Sequence, residues 1–551
     1  MPVTCRLARA LALTSLLLVG CRTAGEPAVN PPAPPAPLAT GAPAAEPAST
    51  PAPPPMMEPV PAPPALAREF RGVWISPVWS GEWPRAGATP DQHRAELIGL
   101  LDRARAAGLN AVVLHVRPAA DALYPTARAP WSAYLTGAVG RAPEPAWDPL
   151  AFAIAEAHRR GLELHAWFNP FRAAPPDRRV DPPVRSVAQL APSRVVRYGT
   201  QPWIDPGFPD ARRAVLDAIL EVVERYDVDG IHLDDYFYPY VQQREVRTTV
   251  RGRTVRRTEN VPFPDSASWE RYGRPAGFER RADWRRANID DFVATLYREV
   301  KARRPWVAVG ISPFGIWRPG SPPGITGLDA YAEIFADARR WFREGWLDYL
   351  APQLYWPIDG AQQRFTRLDE WWRAENVQRR HLWPGLHTER ETAARNAWAP
   401  GEIVRQIDTL RAVRRQSEES FGHIHFRLHA LRPGDRGGIG ESLRARSYAE
   451  PALTPASPWL DARPPAAPRV RAIPLEDAGS GMLVSIAAGD TVPVRWWVLQ
   501  LLDDREQWRT LVRDVGEATV PLPADGAVRG VVVRAVSRTG IAGEGTSLRL
   551  P

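Results

Sequence analysis

Residues 229–239 read DGIHLDDYFYP, so two adjacent carboxylates, Asp234 and Asp235, close an apolar run and three aromatic rings follow. Paired carboxyl groups suit hydrolysis of a glycosidic bond, where they stand about 5 Å apart in a retaining enzyme and roughly 6.5 to 9.5 Å apart in an inverting one. Asp234 is expected to be the nucleophile, or to stabilise an oxocarbenium-like transition state. Its partner is open between Asp235 and Glu389. Asp235 follows directly in sequence, so its side chain leaves on another side unless the strand has already ended; it also has a plain structural reading, as the partner of an arginine such as Arg117 or Arg172. Aromatic rings are the second half of this chemistry, because their faces match the apolar faces of sugars. Trp74, Trp167, Tyr236, Tyr238, Tyr355 and Trp356 form such a set in a chain with 22 tryptophans.

Positioning these groups requires strands that end at one place. From Phe70 onward short apolar stretches alternate with amphipathic helical ones. Strands are expected at 70–79, 110–118, 162–171, 228–236, 306–314, 347–356, 381–389 and 423–431, and helices at 91–107, 149–160, 210–226, 283–303, 361–376 and 401–416. Eight strands separated by helices define an α/β chain of the (β/α)8 TIM-barrel type. Within the strands one parity is apolar and the other turns polar and aromatic toward the C-terminal end. The second parity holds His115, Arg117, Trp167, Asn169, His232, Asp234, Tyr236, Gln353, Tyr355, His387 and Glu389. In barrel enzymes those strand ends form the mouth of the active site, so these residues and Trp74 are expected to bind substrate around the carboxylates. Glu389 has the parity of an acid, with a raised pKa if rings bury it.

The order and spacing of FRGVWISPVW, NAVVLHVRPAAD, LHAWFNPFR, DGIHLDDYFYP, DWRRANIDDFV, GISPFGIWR and APQLYW resemble the glycosyl hydrolase-like 10 family of bacterial lipoproteins, over roughly residues 68–430. The resemblance implies a barrel with carbohydrate hydrolase activity on cell-wall glycan strands, centred on Asp234 and Asp235. A weaker similarity links the fourth strand to the DGxDxDxE strand of chitinase-type barrels. His232 replaces the first inner Asp and Tyr236 stands in place of the acid Glu, which puts a substrate-assisted mechanism in doubt. Gln353 and Tyr355 resemble the sixth-strand partners of those enzymes, and Asp234 occupies the place where amylase-type barrels carry their nucleophile.

The remaining chain bounds the setting. With 551 residues, 44% of them hydrophobic, one large and one smaller core can form. The net charge of +8 comes from 70 basic and 62 acidic residues interspersed along the chain, a solvated surface that gives no reason to expect nucleic acid. Residues 1–21 read as a lipoprotein signal peptide ending in Leu18-Val19-Gly20-Cys21, with Cys21 lipidated and holding the protein to a membrane. Arg22, by resemblance to the sorting pattern of Gram-negative lipoproteins, points to the periplasmic face of the outer membrane. Cys5 leaves with the signal, so the mature chain has no disulfide or thiolate chemistry. Residues 22–67 form a Pro/Ala-rich, disordered tether, long enough at roughly 3.1 Å per residue to reach on the order of 100 Å. The barrel is placed at 68–456, and residues 466–551, with short alternating strands and Gly/Pro turns, read as a fibronectin type III-like β-sandwich.

Two further motifs carry less. The stretch 242–260, QQREVRTTVRGRTVRRTEN, reads as a basic hairpin after strand four, with a possible grip on acidic groups of a polymer. His423 and His425 form a His-x-His pair that suggests metal-dependent hydrolysis, yet no aspartate or lysine motif accompanies it. No metal or cofactor is therefore expected. Beside the glycosidase reading stand a non-catalytic glycan-binding lipoprotein and a metal-dependent deacetylase.

Overall fold

The computed structural model describes residues 60–79, 81–176, 191–250, 253–393, 395–414, 421–432, 434, 438–474, 482–523 and 528–550. Cys21 and the tether up to residue 59 lie outside the described residues.

Strands and helices alternate as the periodicity demands. They are β1 (Phe70–Ile75), α1 (Pro90–Ala106), β2 (Ala111–Arg117), α2 (Pro149–Arg159), β3 (Glu163–Phe168), α3 (Pro209–Arg225), β4 (Gly230–Leu233), α4 (Arg281–Arg303) and β5 (Ala308–Ile311). There follow α5 (Ala338–Arg343), β6 (Tyr349–Leu350), α6 (Phe365–Ala374), β7 in two pieces (His381–Leu382 and Gly385–Leu386), α7 (Glu402–Arg414) and β8 (Gly422–His425). Local sequence sets the helix starts. Thr89 and Gln92 form a capping box ahead of α1, and the Asp148 carboxylate caps α2 by accepting from the backbone of Leu150 and Ala151.

Each strand pairs in parallel with its successor, and β8 pairs with β1 from Phe70 opposite Gly422 to Val73 opposite His425. The second piece of β7 pairs with β8, so the sheet closes into a barrel. Pro384 lacks an N–H and splits β7, but the ladder continues around it: Trp383 N donates to Leu350 O (2.9 Å) and Ile424 N donates to Pro384 O (3.0 Å).

The apolar parity of the strands packs outward against the helices, and the other parity fills the barrel. Phe70, Val113, Tyr349, Ala351, Trp383 and Ile424 form that inner core. Phe70 and Trp383 stack at 3.8 Å, and the Tyr349 hydroxyl bonds His165 Nδ1 and His232 Nδ1, each at 2.9 Å. So large a ring fits because inward-facing Gly310 leaves it room: a Cβ there would lie 1.9 Å from the Tyr349 ring.

The C-terminal segment forms β9 (Arg469–Pro474), β10 (Met482–Ala487), β11 (Val494–Leu502), β12 (Trp508–Asp514), β13 (Thr519–Pro521), β14 (Gly530–Ser537) and β15 (Ala542–Arg549). Antiparallel sheets of order β9-β10-β13 and β12-β11-β14-β15 enclose a core that includes Val484, Trp497, Leu499, Val520 and Val533. This sandwich seats on the barrel's closed end, where the strands begin. Buried Arg495 of β11 reaches Asp229 just ahead of β4 (2.8 Å), and Asp229 also accepts from His158 Nε2 and Leu164 N, both at 2.8 Å. Arg538 and Asp227 add a second ion pair.

Residues 60–67 depart from the expectation of a free tether. Leu66 packs with Leu453, Trp496, Val498, Val512 and Val536, and Pro64 O accepts from Gln500 Nε2 (2.8 Å). A proline-rich segment with one large apolar residue can still dock when a neighbouring domain supplies the surface. Among the described residues no helix is long and apolar enough to cross a membrane.

Candidate active site

β4 stops at Leu233, three residues short of the expected end. Asp234 and Asp235 therefore belong to a turn, where strand alternation no longer sends neighbours to opposite faces, and both line a cavity of about 210 Å3 at the C-terminal mouth of the barrel. The expected Trp74, His115, Trp167, Tyr236, Gln353 and Tyr355 line it too.

Asp234 is fixed from three directions. Its Oδ2 accepts from Trp167 Nε1 (3.2 Å) and Asn169 Nδ2 (3.1 Å), and its Oδ1 accepts from Tyr236 N (3.3 Å). Those donors favour the carboxylate, yet burial and the like charge of Asp235 outweigh them and push the group up to about 7. Asp235 accepts from the Tyr240 hydroxyl. Burial raises its pKa, against opposing hydrogen bonds from Tyr240 and Gln353. The Arg172 guanidinium lies 4.2 Å over the Tyr236 ring and moderates both carboxyls.

Imidazoles form the layer beneath. Trp74 Nε1 donates to His232 Nε2 (3.2 Å); an indole nitrogen can only donate, so the His232 proton sits on Nδ1, toward Tyr349. His232 is thus a support below the mouth. His115 stacks flat on Trp167 at 3.8 Å and meets Ser76 Oγ through Nδ1 (3.0 Å), while its buried Nε2 has no protein partner. Burial, helped by Arg172 and His232, holds the His115 pKa well below its usual value, so this imidazole is neutral. The ring contributes to the cavity wall as a neutral, packed face behind Trp167.

Three expected residues sit elsewhere. A bulge in β2 puts His115 opposite Trp167 but Arg117 opposite Phe168, an outward-facing residue; Arg117 leaves the mouth and its neighbouring charges are Asp121 and Tyr124. Glu389 stands outside the cavity lining and pairs with Arg427 (2.8 Å), so its expected role as acid lacks the required placement. His387 packs behind Tyr355 at 4.7 Å. Of the expected stacking rings, Tyr238 is buried against Phe263 and Phe335, and Trp356 packs on Phe314. The His-x-His pair is spent on structure: His423 and His425 both bond the Tyr448 hydroxyl, and Thr388 takes the other nitrogen of His425. Among the described residues no group of three His, Cys, Asp or Glu could hold a metal.

The cavity also contains Arg172, Tyr240, Ser312 and Arg427, none of them expected as site residues. Arg172, Ser312 and Arg427 stand inside LHAWFNPFR, GISPFGIWR and HIHFRLH, and Tyr240 directly follows DGIHLDDYFYP. Their signal was adjacency to a strand end, which parity does not read.

Two neighbouring carboxyls buried at the mouth of a (β/α)8 barrel, walled by rings of sugar size, define the class of barrel glycoside hydrolases. The model of the glycosyl hydrolase-like 10 family matches residues 69–398, and the chain belongs to that family. It is 39% identical over 430 residues to glycosyl hydrolase YngK of Bacillus subtilis (strain 168), covering 76% of this chain and 79% of that one. Glycosyl hydrolase DigH of Escherichia coli (strain K12) is 33% identical over 335 residues, 56% of this chain and 72% of the relative. The glycoside hydrolase domain of PgaB (BpsB) from Bordetella bronchiseptica superposes with a TM-score of 0.42 at 14% identity, over 71% of this chain and 100% of that one.

Proposed function

We propose that this glycoside hydrolase cleaves glycan strands of the cell envelope, with peptidoglycan as its polymer, while held to a membrane through lipid on Cys21. The observation that carries the catalytic part is the Asp234–Asp235 pair. Burial lifts both carboxyls, and the like charge of Asp235 helps push Asp234 up to about 7, so Asp234 is the member suited to carry a proton near neutral pH. The protonated member donates to the leaving oxygen, and the ionised member stabilises the positive charge developing on the sugar. Trp167 and Tyr236, which line the cavity, orient the sugar ring beside them. The exposed hairpin of Gln242–Val250 and Arg253–Val261, with Arg244, Arg247, Arg256 and Arg257, supports a polymer bearing carboxylates such as lactyl or stem-peptide groups. The lipobox pattern and the Pro/Ala-rich stretch after it support anchoring, with the outer membrane as the address. The rival reading, a binding lipoprotein without catalysis, leaves two carboxyls buried at the mouth without a purpose.

The test is incubation of the purified protein with peptidoglycan sacculi and with amidase-stripped glycan strands, products read by mass spectrometry, beside Asp234→Asn. Sugar fragments from the parent and none from the variant support the reading. Tight binding by both without fragments returns the binding-module reading, and fragments only from other glycans remove peptidoglycan. Labelling with palmitate, lost in Cys21→Ala, tests the anchor.

A further inference from the structure

Arg172 lies four residues past the end of β3, on a backbone that is fixed from two sides. Its N–H donates to Asn169 Oδ1 (3.1 Å), while Ile204 N donates to Phe171 O (2.8 Å) and Ala173 N to Pro202 O (3.3 Å), which clamps the segment along the strand Gln201–Ile204. The side chain is 5% exposed and lines the cavity that holds Asp234 and Asp235. Its guanidinium sits 4.2 Å over the Tyr236 ring, and its charge bears on the Tyr236 hydroxyl.

Asp234 and Asp235 also feel that charge, yet among the described residues no carboxylate comes within ion-pair distance of it. Buried Arg71, Arg414 and Arg495 each hold one, Glu69 at 2.7 Å, Asp369 at 3.1 Å and Asp229 at 2.8 Å. A buried cation is costly without such a partner. As a plain counter-ion Arg172 would gain most by closing on the aspartates; instead it stacks on Tyr236. Stacking occupies the face of a guanidinium and leaves its N–H edge for a planar anion. Unlike the Nε atoms of Arg117 and Arg414, which are closed off without a partner, the Arg172 nitrogens are not sealed from the cavity.

We infer that Arg172 is a specificity residue whose guanidinium edge binds a carboxylate borne by the sugar unit in the mouth, so that the enzyme selects glycan with an acidic unit beside the bond it cuts. The inference rests on the glycosidase reading of the mouth and names the kind of unit that reading takes. Such a carboxylate is a lactyl ether, as in peptidoglycan, or a uronate. The mouth tolerates a third acidic group because its wall carries two guanidinium groups, Arg172 and Arg427, and because Asp234 is suited to carry a proton near neutral pH. The planar fork of arginine matches a carboxylate at two points, and a neutral sugar leaves it unmatched.

The test compares amidase-stripped glycan strands with the same strands after reduction of their lactyl carboxyls to alcohols; hyaluronan, native and carboxyl-reduced, runs beside them. The full chain in detergent, Arg172→Gln and Arg172→Lys are each assayed on the plateau of their own pH profile, so that a shifted limb does not enter. The parent is expected to show kcat/KM at least tenfold higher on native than on reduced strands, mainly through KM. Arg172→Gln is expected to lose that preference, and Arg172→Lys, which keeps the charge without the fork, to fall between. A counter-ion alone would lower both substrates equally, so an unchanged ratio in Arg172→Gln, or a parent that cuts native and reduced strands equally well, overturns the inference and leaves the glycosidase reading standing. A preference seen only between the two forms of hyaluronan, and lost in Arg172→Gln, supports the grip and assigns the carboxylate to a uronate. Should Arg172→Gln fail to fold, the parent and Arg172→Lys decide by the same ratio. If the parent cleaves none of these glycans, the glycosidase reading fails, and calorimetric binding of native against reduced strands decides: a tenfold preference lost in Arg172→Gln supports the grip, and equal binding overturns it.

Discussion

At the scale of the residue, the carboxyl pair makes the pH dependence predictable in sign. Activity requires one proton on the pair, so kcat/KM falls as pH rises through about 7, where Asp234 gives up its proton. Asp235→Asn removes the like charge that lifts Asp234 and moves the alkaline limb to lower pH; Arg172→Gln removes an opposing positive charge and moves it higher. A pH–rate series on glycan strands reads both shifts, and a limb that stays in place in both variants refutes the coupling. Because the folded pKa of Asp234 exceeds its unfolded value of about 3.9, the folded state holds the extra proton between roughly pH 4 and 7. Stability therefore declines as pH rises across that window, by a few kcal/mol at most. Asp234→Asn is expected to match the parent in Tm below pH 4 and exceed it by several degrees at pH 8, while losing about a thousandfold or more in kcat. Glu389→Gln loses less than tenfold, because its carboxylate faces Arg427 outside the cavity. Asp234 was legible in the sequence through its position at a strand end. Arg172 and Tyr240 were not, since a residue in a turn has no fixed face.

At the scale of the element, alternation of apolar strands with helices gave the barrel because one parity must meet the helix layer. The helices from α1 to α4 begin and end within two residues of expectation. The same alternation fails where the backbone inserts a residue or stops. The β2 bulge turns Arg117 out of the mouth, and the early end of β4 brings Asp235 in. Pro352 and Pro384 shorten β6 and β7 by removing ladder donors, a point that proline in an otherwise apolar run could have signalled. The barrel interior gives the matching prediction. Gly310→Ala drives a methyl into the Tyr349 ring and should destabilise the fold by about 1 to 3 kcal/mol or more. Urea unfolding checks it, and Gly310→Ala with Tyr349→Phe should not recover the loss, since the clash is with the ring and not the hydroxyl.

At the scale of the whole molecule, the sandwich is joined to the barrel through a charged seam. Burial alone would raise the Asp229 carboxyl, but Arg495 and His158 reverse this and hold it far below the usual carboxylate range. Its contribution is complete above about pH 4 and is lost only as pH falls through that depressed value. Asp229→Ala leaves buried Arg495 with Asp514 as its remaining partner and takes the acceptor from His158 Nε2 and Leu164 N, and should cost about 1 to 3 kcal/mol at pH 7, measured by denaturant unfolding. A loss under about 1 kcal/mol would show that the seam is held by its apolar contacts alone. The antiparallel strands of the C-terminal segment were legible from its alternating stretches, but their seat on the barrel was not, because the contacts join residues more than 260 positions apart. Residues 60–67 dock along that sandwich, which seats where the barrel strands begin, whereas Asp234 stands where they end. A bead or a surface coupled at residue 60 itself therefore grips the enzyme by its handle, on the side of the strand starts, and leaves the cutting edge at their ends open to the medium.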